Sequence, residues 1–172
     1  MPQSATAHPR AQLALDWQWA RLSELTAADV YAVLAARQEV FAVEQSCAFQ
    51  DADGLDFHAW HLLGWDHAGG RRTLACYLRL IDPGRKFAEP SIGRVLTTSA
   101  YRGVGLGRTL MLEGMARAAR AFPGVPIRIA AQQRLEAFYA SLGYVTVGAP
   151  FLEDNIPHVE MLYSAGRAEP AQ

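Results

Sequence analysis

Three alternating glycines between two arginines, Arg102-Gly103-Val104-Gly105-Leu106-Gly107-Arg108, constrain this chain more than any other feature. Ser91–Thr98 ahead of them is a short β-rich segment. Behind them Leu106, Leu110, Met111, Met115 and Ala118 recur on one face of a helix running to about Phe122, where Pro123-Gly124 stops it. A strand that turns through glycine into a helix gathers amides with no intrahelical partner and the positive end of the helix dipole. The glycines also let a ligand approach the backbone closely. Together these make a phosphate nest, to which Arg102 and Arg108 add charge-assisted donors. A P-loop is excluded because no lysine stands at its required position. The dinucleotide fingerprint fails because the third glycine comes one residue early, in a loop well past mid-chain. A tight turn that binds nothing is the bland alternative, and glycines flanked by arginines disfavour it.

The 172 residues, 51% hydrophobic and 19% charged, suit one soluble globular domain. A formal net charge of -1 gives no electrostatic reason to expect nucleic acid or an anionic membrane as partner. Two cysteines, Cys47 and Cys76, are too few for a disulfide framework and suit a reducing cytoplasm. No basic start leads into an apolar run, and no apolar stretch approaches the roughly 20 residues of a spanning helix. Residues 1–14 read as a disordered extension, 15–164 as the single domain and 165–172 as a frayed tail.

Trp17–Leu22 is the first expected strand. Thr26 caps a helix, with Asp29 in the acidic position of a capping box and apolar spacing out to about Val43. Glu44–Phe57 reads as a long polar loop. Trp60–Trp65 and Leu74–Ile81 form a hairpin around His67-Ala68-Gly69-Gly70. After the glycine helix come a buried strand at Ile127–Ala131, a short helix ending at Gly143, and two closing strands, Tyr144–Phe151 and His158–Tyr163. This order predicts an α+β fold in αβα layers, one mixed and mostly antiparallel sheet covered by helices.

Two motifs then carry a resemblance. Arg102-x-x-Gly105-x-Gly107 resembles the Arg/Gln-x-x-Gly-x-Gly/Ala signature of the GNAT (Gcn5-related N-acetyltransferase) superfamily, with Arg94-Val95-Leu96-Thr97 as the strand before it. Phe138-Tyr139-Ala140-Ser141-Leu142-Gly143-Tyr144 resembles that family's Phe-Tyr-x-x-x-Gly-Phe helix end. Arg37, Val40–Gln45, Asp51-x-Asp53-Gly54, Ile92–Val95 and Ile156-Pro157-His158 look like the ElaA-like branch.

The resemblance implies a sheet splayed in the middle and an acetyl-CoA-dependent N-acetyltransferase acting on an amine of a small molecule or peptide. Val95, Leu96 and Thr97 would lie along the pantetheine, and Arg102, Gly103, Val104, Gly105, Leu106, Gly107 and Arg108 would wrap the pyrophosphate. Gln132 and Phe138 would complete the coenzyme site, although many relatives carry asparagine where Gln132 stands. Tyr139 would act as acid toward the coenzyme sulfur, since a phenol with a pKa of about 10 is protonated at neutral pH. Glu44 and His158 are candidates for the base, with Glu160 a third. No metal is expected. Asp51–Asp56 fails the calcium-loop spacing, and His58 and His61 lack zinc partners. Asp51 and Asp53 remain open as a polar turn or as recognition of a cationic acceptor. A noncatalytic acyl-CoA sensor and an acyl-homoserine-lactone-synthase-like enzyme are the alternatives.

Overall fold

The computed structural model describes residues 14–164. The expected extension at 1–14 falls outside them but for its last residue, and the expected tail at 165–172 falls outside them entirely. Seven strands form one sheet: β1 (Asp16–Arg21), β2 (Ala59–Asp66), β3 (Thr73–Ile81), β4 (Ser91–Thr97), β5 (Ile127–Gln132), β6 (Val145–Glu153) and β7 (Ile156–Tyr163). Their spatial order is β1-β2-β3-β4-β5-β7-β6. Every neighbouring pair is antiparallel except β4 and β5, which run parallel and share a single bridge, Ser91 with Arg128. Beyond that bridge the two strands part.

Helices cover both faces, which gives the expected three layers. α1 (Ala27–Arg37) packs Val33 and Ala36 with Leu63, Trp65, Tyr77 and Leu96. α2 (Leu106–Ala121) and α3 (Glu136–Ala140) bury Leu110, Met111, Met115 and Tyr139 with Leu62, Leu78, Leu80 and Ile92 on the other face. Alternation along β2 and β3 sends neighbouring side chains to opposite cores, so both strands read as near-continuous apolar runs. Gly114 sets how closely α2 sits on the sheet. A Cβ there would lie 2.5 Å from Leu78 Cδ2, so a larger residue would have to displace that side chain.

The capping box forms as expected: the Asp29 amide donates to Thr26 Oγ1 and the Thr26 amide to the Asp29 carboxylate, both at 3.2 Å. The helix does not run unbroken to Val43. α1 stops at Arg37, and Gln38–Glu44 continues as a wider π-helical segment; two residues beyond it Ser46 holds φ 51°. Such segments recur at functional sites, and no sequence period announces them.

The predicted polar loop is in fact pinned. Asp51, Asp53 and Asp56 meet three arginines from α1, β3 and β4. Arg37 donates to Asp51 (2.7 Å) and Asp56 (2.6 Å), Arg79 to Asp53 (2.7 Å) and Asp56 (2.9 Å), and Arg94 to Asp51 (2.6 Å). Arg37 and Arg79 are almost wholly buried. Burial would raise the Asp53 carboxyl, but the hydrogen bonds and charge of Arg79 outweigh it and bring its pKa to about 2. His61 is structural, as expected, its ring nitrogens bonded to Tyr77 Oη (2.7 Å) and the Asp56 carbonyl (3.0 Å). Because the network is charge-balanced, removing one carboxylate charge strands a buried guanidinium. Asp56→Asn should lower unfolding free energy by about 3 kcal/mol in urea denaturation; a change below about 0.5 kcal/mol would contradict this role.

Candidate active site

The parting of β4 and β5 opens a cavity of about 920 Å³. β4 contributes a further break. Tyr77 pairs with Leu96 but Arg79 with Gly93, so Arg94 and Val95 together face Leu78, a β-bulge with Arg94 at φ 52°. The bulge turns the Arg94 guanidinium toward Asp51, 5.5 Å from the Phe49 ring centre. Past Ser91, the β4 edge that faces β5 has no strand to pair with, and at its end the Thr97 carbonyl accepts from Arg102 Nε at 3.0 Å.

Several sequence-predicted residues converge on this cavity: Glu44, Val95, Leu96, Thr97, Arg102, Gln132, Tyr139 and His158 all line it. Gly103–Arg108 lie beyond its Arg102 end, at the start of α2, and do not line it. Phe138 packs against the α2-side core, its ring edge-on to Tyr139 at 5.1 Å, and also stays off the cavity wall.

The loop has the form a phosphate nest needs. Gly103 and Gly105 hold φ 75° and 82°, and Gly105 starts α2 with no side-chain cap. Arg108 is the first helix amide to find a carbonyl, that of Gly105 at 3.1 Å. The amides of Leu106 and Gly107 belong to the unpaired first turn. Gly107 is the informative position. Its φ lies outside the left-handed region, and a Cβ placed there meets no atom within 4 Å. Neither backbone conformation nor packing therefore requires glycine at 107.

Tyr139 is buried at the cavity wall, and among the described residues its hydroxyl has no hydrogen-bond partner. Burial pushes the phenol up to about 12, so it stays protonated at neutral pH. His158 is also buried, with Nδ1 2.8 Å from the Ile156 carbonyl. A carbonyl only accepts, so Nδ1 is the donor of that contact; in the neutral ring this makes Nε2, 3.8 Å from Glu153, the acceptor nitrogen.

Other candidates are already engaged. Glu44 accepts from Arg102 Nη2 at 2.8 Å, and Gln132 donates to Gln45 Oε1 at 3.0 Å. Arg108 donates to Ser141 Oγ at 2.9 Å. Glu160 is paired with Arg128 at 2.6 Å and does not line the cavity. Asp51 and Asp53 are both held by arginines, and of the two Asp53 lines the cavity. Cys76 is buried and its thiol pushed up to about 12, which fits a core residue, whereas Cys47 lines the cavity. Sequence reasoning did not find Gln45, Arg79 or Phe49 as cavity residues; each gets there through a partner distant in sequence. No group of metal-ligating side chains stands among the described residues.

Residues 72–165 match the acetyltransferase (GNAT) domain model. A UPF0039 protein of Synechocystis is 40% identical over 149 residues, covering 87% of this chain and 95% of that one. The crystal structure of an acyl-CoA N-acyltransferase from Pseudomonas aeruginosa superposes with a TM-score of 0.81 at 42% identity, over 88% of this chain and all of that one. The crystal structure of Escherichia coli ElaA gives 0.80 at 34% identity, over 88% of this chain and all of that one. The chain belongs to the GNAT acetyltransferase family and is an acyltransferase. No helix among the described residues is long and apolar enough to cross a membrane.

Proposed function

We propose that this protein transfers an acetyl group from acetyl-CoA to an amine-bearing small molecule or peptide, by direct attack within a ternary complex. The observation that carries this reading is Gly107, a glycine in a helical first turn that neither conformation nor packing demands. Close approach of a ligand to the Leu106 and Gly107 amides explains it. The pyrophosphate would sit on that turn with Arg102 and Arg108 beside it, and the pantetheine would run along the open edge of Val95–Thr97.

The donor supplies an acyl thioester; the chain's residues handle the protons. As the amine nitrogen bonds to the acyl carbon and the carbon–sulfur bond breaks, His158 Nε2 receives the proton that the amine loses. Tyr139 donates its hydroxyl proton toward the departing sulfur and regains one from the imidazolium through solvent. One proton has then moved from nitrogen to sulfur. Tyr139 suits the task because its hydroxyl is protonated and uncommitted. His158 suits its own because the Ile156 carbonyl takes Nδ1, so that in the neutral ring Nε2 is the nitrogen with a lone pair to offer at the cavity wall. Backbone N–H groups beside Leu96 would steady the developing oxyanion. A complete pyrophosphate loop favours free CoA over a carrier-protein donor.

Two substitutions separate binding from chemistry. Gly107→Ala should leave thermal stability unchanged or raised, since alanine suits a helix better by up to about 1 kcal/mol. It should nonetheless weaken acetyl-CoA binding by about tenfold or more in calorimetry, the weight of a lost hydrogen bond to a charged group. Undiminished affinity would move the pyrophosphate elsewhere. Tyr139→Phe should keep acetyl-CoA affinity and lower turnover on a responsive amine about a hundredfold, read by thiol release. Unchanged turnover would remove Tyr139 from the chemistry, and binding without turnover on any amine would favour a sensor.

A further inference from the structure

Of the chain's 16 lysines and arginines only one is lysine, Lys86, and it lines the cavity. The two side chains are not interchangeable. Arginine stays charged and grips anions with a planar fork, whereas lysine can lose a proton and become a nucleophile. Arg79, Arg94 and Arg102 on the same wall are each held by a carboxylate within 2.8 Å. Lys86 is not gripped in this way. Among the described residues its Nζ has one ion-pair partner, Glu153 Oε1 at 3.5 Å, and the Phe87 ring 5.5 Å away. Both members of that pair are partly exposed, the setting of a weak interaction. Glu153 Oε2 in turn lies 3.8 Å from His158 Nε2. One carboxylate therefore stands between a primary amine and the nitrogen assigned above as the base, and all three side chains line the cavity. The loop between β3 and β4 that carries Lys86 is fixed at both ends. Arg21 donates to both Asp82 oxygens, at 2.8 and 2.9 Å, and Arg128 to both Glu89 oxygens at 2.9 Å. Between them the Gly84 amide donates to the Phe87 carbonyl at 2.7 Å. The backbone thus keeps the lysine at the cavity, while its flexible four-carbon stem lets Nζ reach a range of positions.

We propose that the protein acetylates its own Lys86 within the cavity. The Lys86 ammonium first gives one proton to solvent by way of Glu153 and His158. The Nζ lone pair then attacks the acyl carbon of the donor; the nitrogen–carbon bond forms and the carbon–sulfur bond breaks. A second proton passes from nitrogen to the departing sulfur by the route described for an external amine. The products are Nε-acetyl-lysine, the free CoA thiol and one proton released. An amide is too stable to hand its acetyl group to a second amine, so the product is a modification and not an intermediate. It removes the charge of Lys86 and with it the ion pair that Glu153 has there. This inference rests on the acyl-CoA reading.

Incubating unmodified protein with acetyl-CoA, and following intact mass and mapped peptides, tests the proposal. One acetyl group per chain should appear on Lys86, and none in Lys86→Arg, which keeps a charge beside Glu153. The rate should saturate with acetyl-CoA at the dissociation constant that calorimetry gives, and should not change with protein concentration. His158→Ala should slow it about a hundredfold, the weight of a general base; an undiminished rate would overturn the proposal. So would acetylation that rises linearly with acetyl-CoA or runs as fast in the urea-unfolded chain, since that is solution chemistry. A rate that grows with protein concentration would overturn it as well, because one copy would then be modifying another. Calorimetry separates the two failures. Acetyl-CoA that binds while Lys86 stays unmodified ends this inference alone, and no binding at all removes the donor reading beneath it.

Discussion

The structure turns on a failure of pairing between β4 and β5. A sheet interior normally satisfies every backbone donor and acceptor along its strands. Here two parallel neighbours share one bridge and then separate. Four strands on one side and three on the other are left joined at a single point, and a cavity opens where the ladder is missing. The β4 bulge serves the same end by breaking register with β3 beside the gap. On the α2 side, Gly114 lets the helix sit close against Leu78, which fixes where the N-terminus of α2, and the glycine loop with it, stands relative to the open edge.

Keeping such a gap open needs rigid walls. The Arg37, Arg79 and Arg94 network with Asp51, Asp53 and Asp56 supplies one of them, tying α1, the loop after the π-helical segment, β3 and the β4 bulge into one unit. Buried ion pairs contribute little net stability but fix geometry strictly, because every member depends on the others for its charge. Val40 and Phe41 are held on the cavity wall just beyond Arg37, so the network sets the shape of that wall.

Much of this was legible in the sequence because it rests on local signals. The glycine loop and the amphipathic helix behind it, the Thr26 cap and the alternation of strands and helices all depend on residues within a few positions of one another. The second family motif placed Tyr139 on the cavity wall for the same reason. What sequence did not reveal depends on distant partners. Asp51 and Asp53 read as a polar turn because Arg79 and Arg94 lie 26 and 43 residues away. The α1 continuation looked like ordinary helix, because the shift to π-helical geometry leaves apolar spacing intact. Glu44 looked like a free carboxylate and Glu160 like a possible base until Arg102 and Arg128 were brought beside them. The Arg94 bulge sits at positive φ with no glycine to mark it.

The central claim is that the β4–β5 gap and the first turn of α2 together hold one ligand, an acyl-CoA. Titrating CoA into ¹⁵N-labelled protein and following backbone amide resonances tests it most directly. The account requires the largest shifts at the amides of Leu106 and Gly107 and along Val95–Thr97, saturating together at one affinity. Shifts confined to another surface, such as the groove beside the stacked Trp19 and Trp60 rings, or shifts in the loop without any in β4, would contradict it.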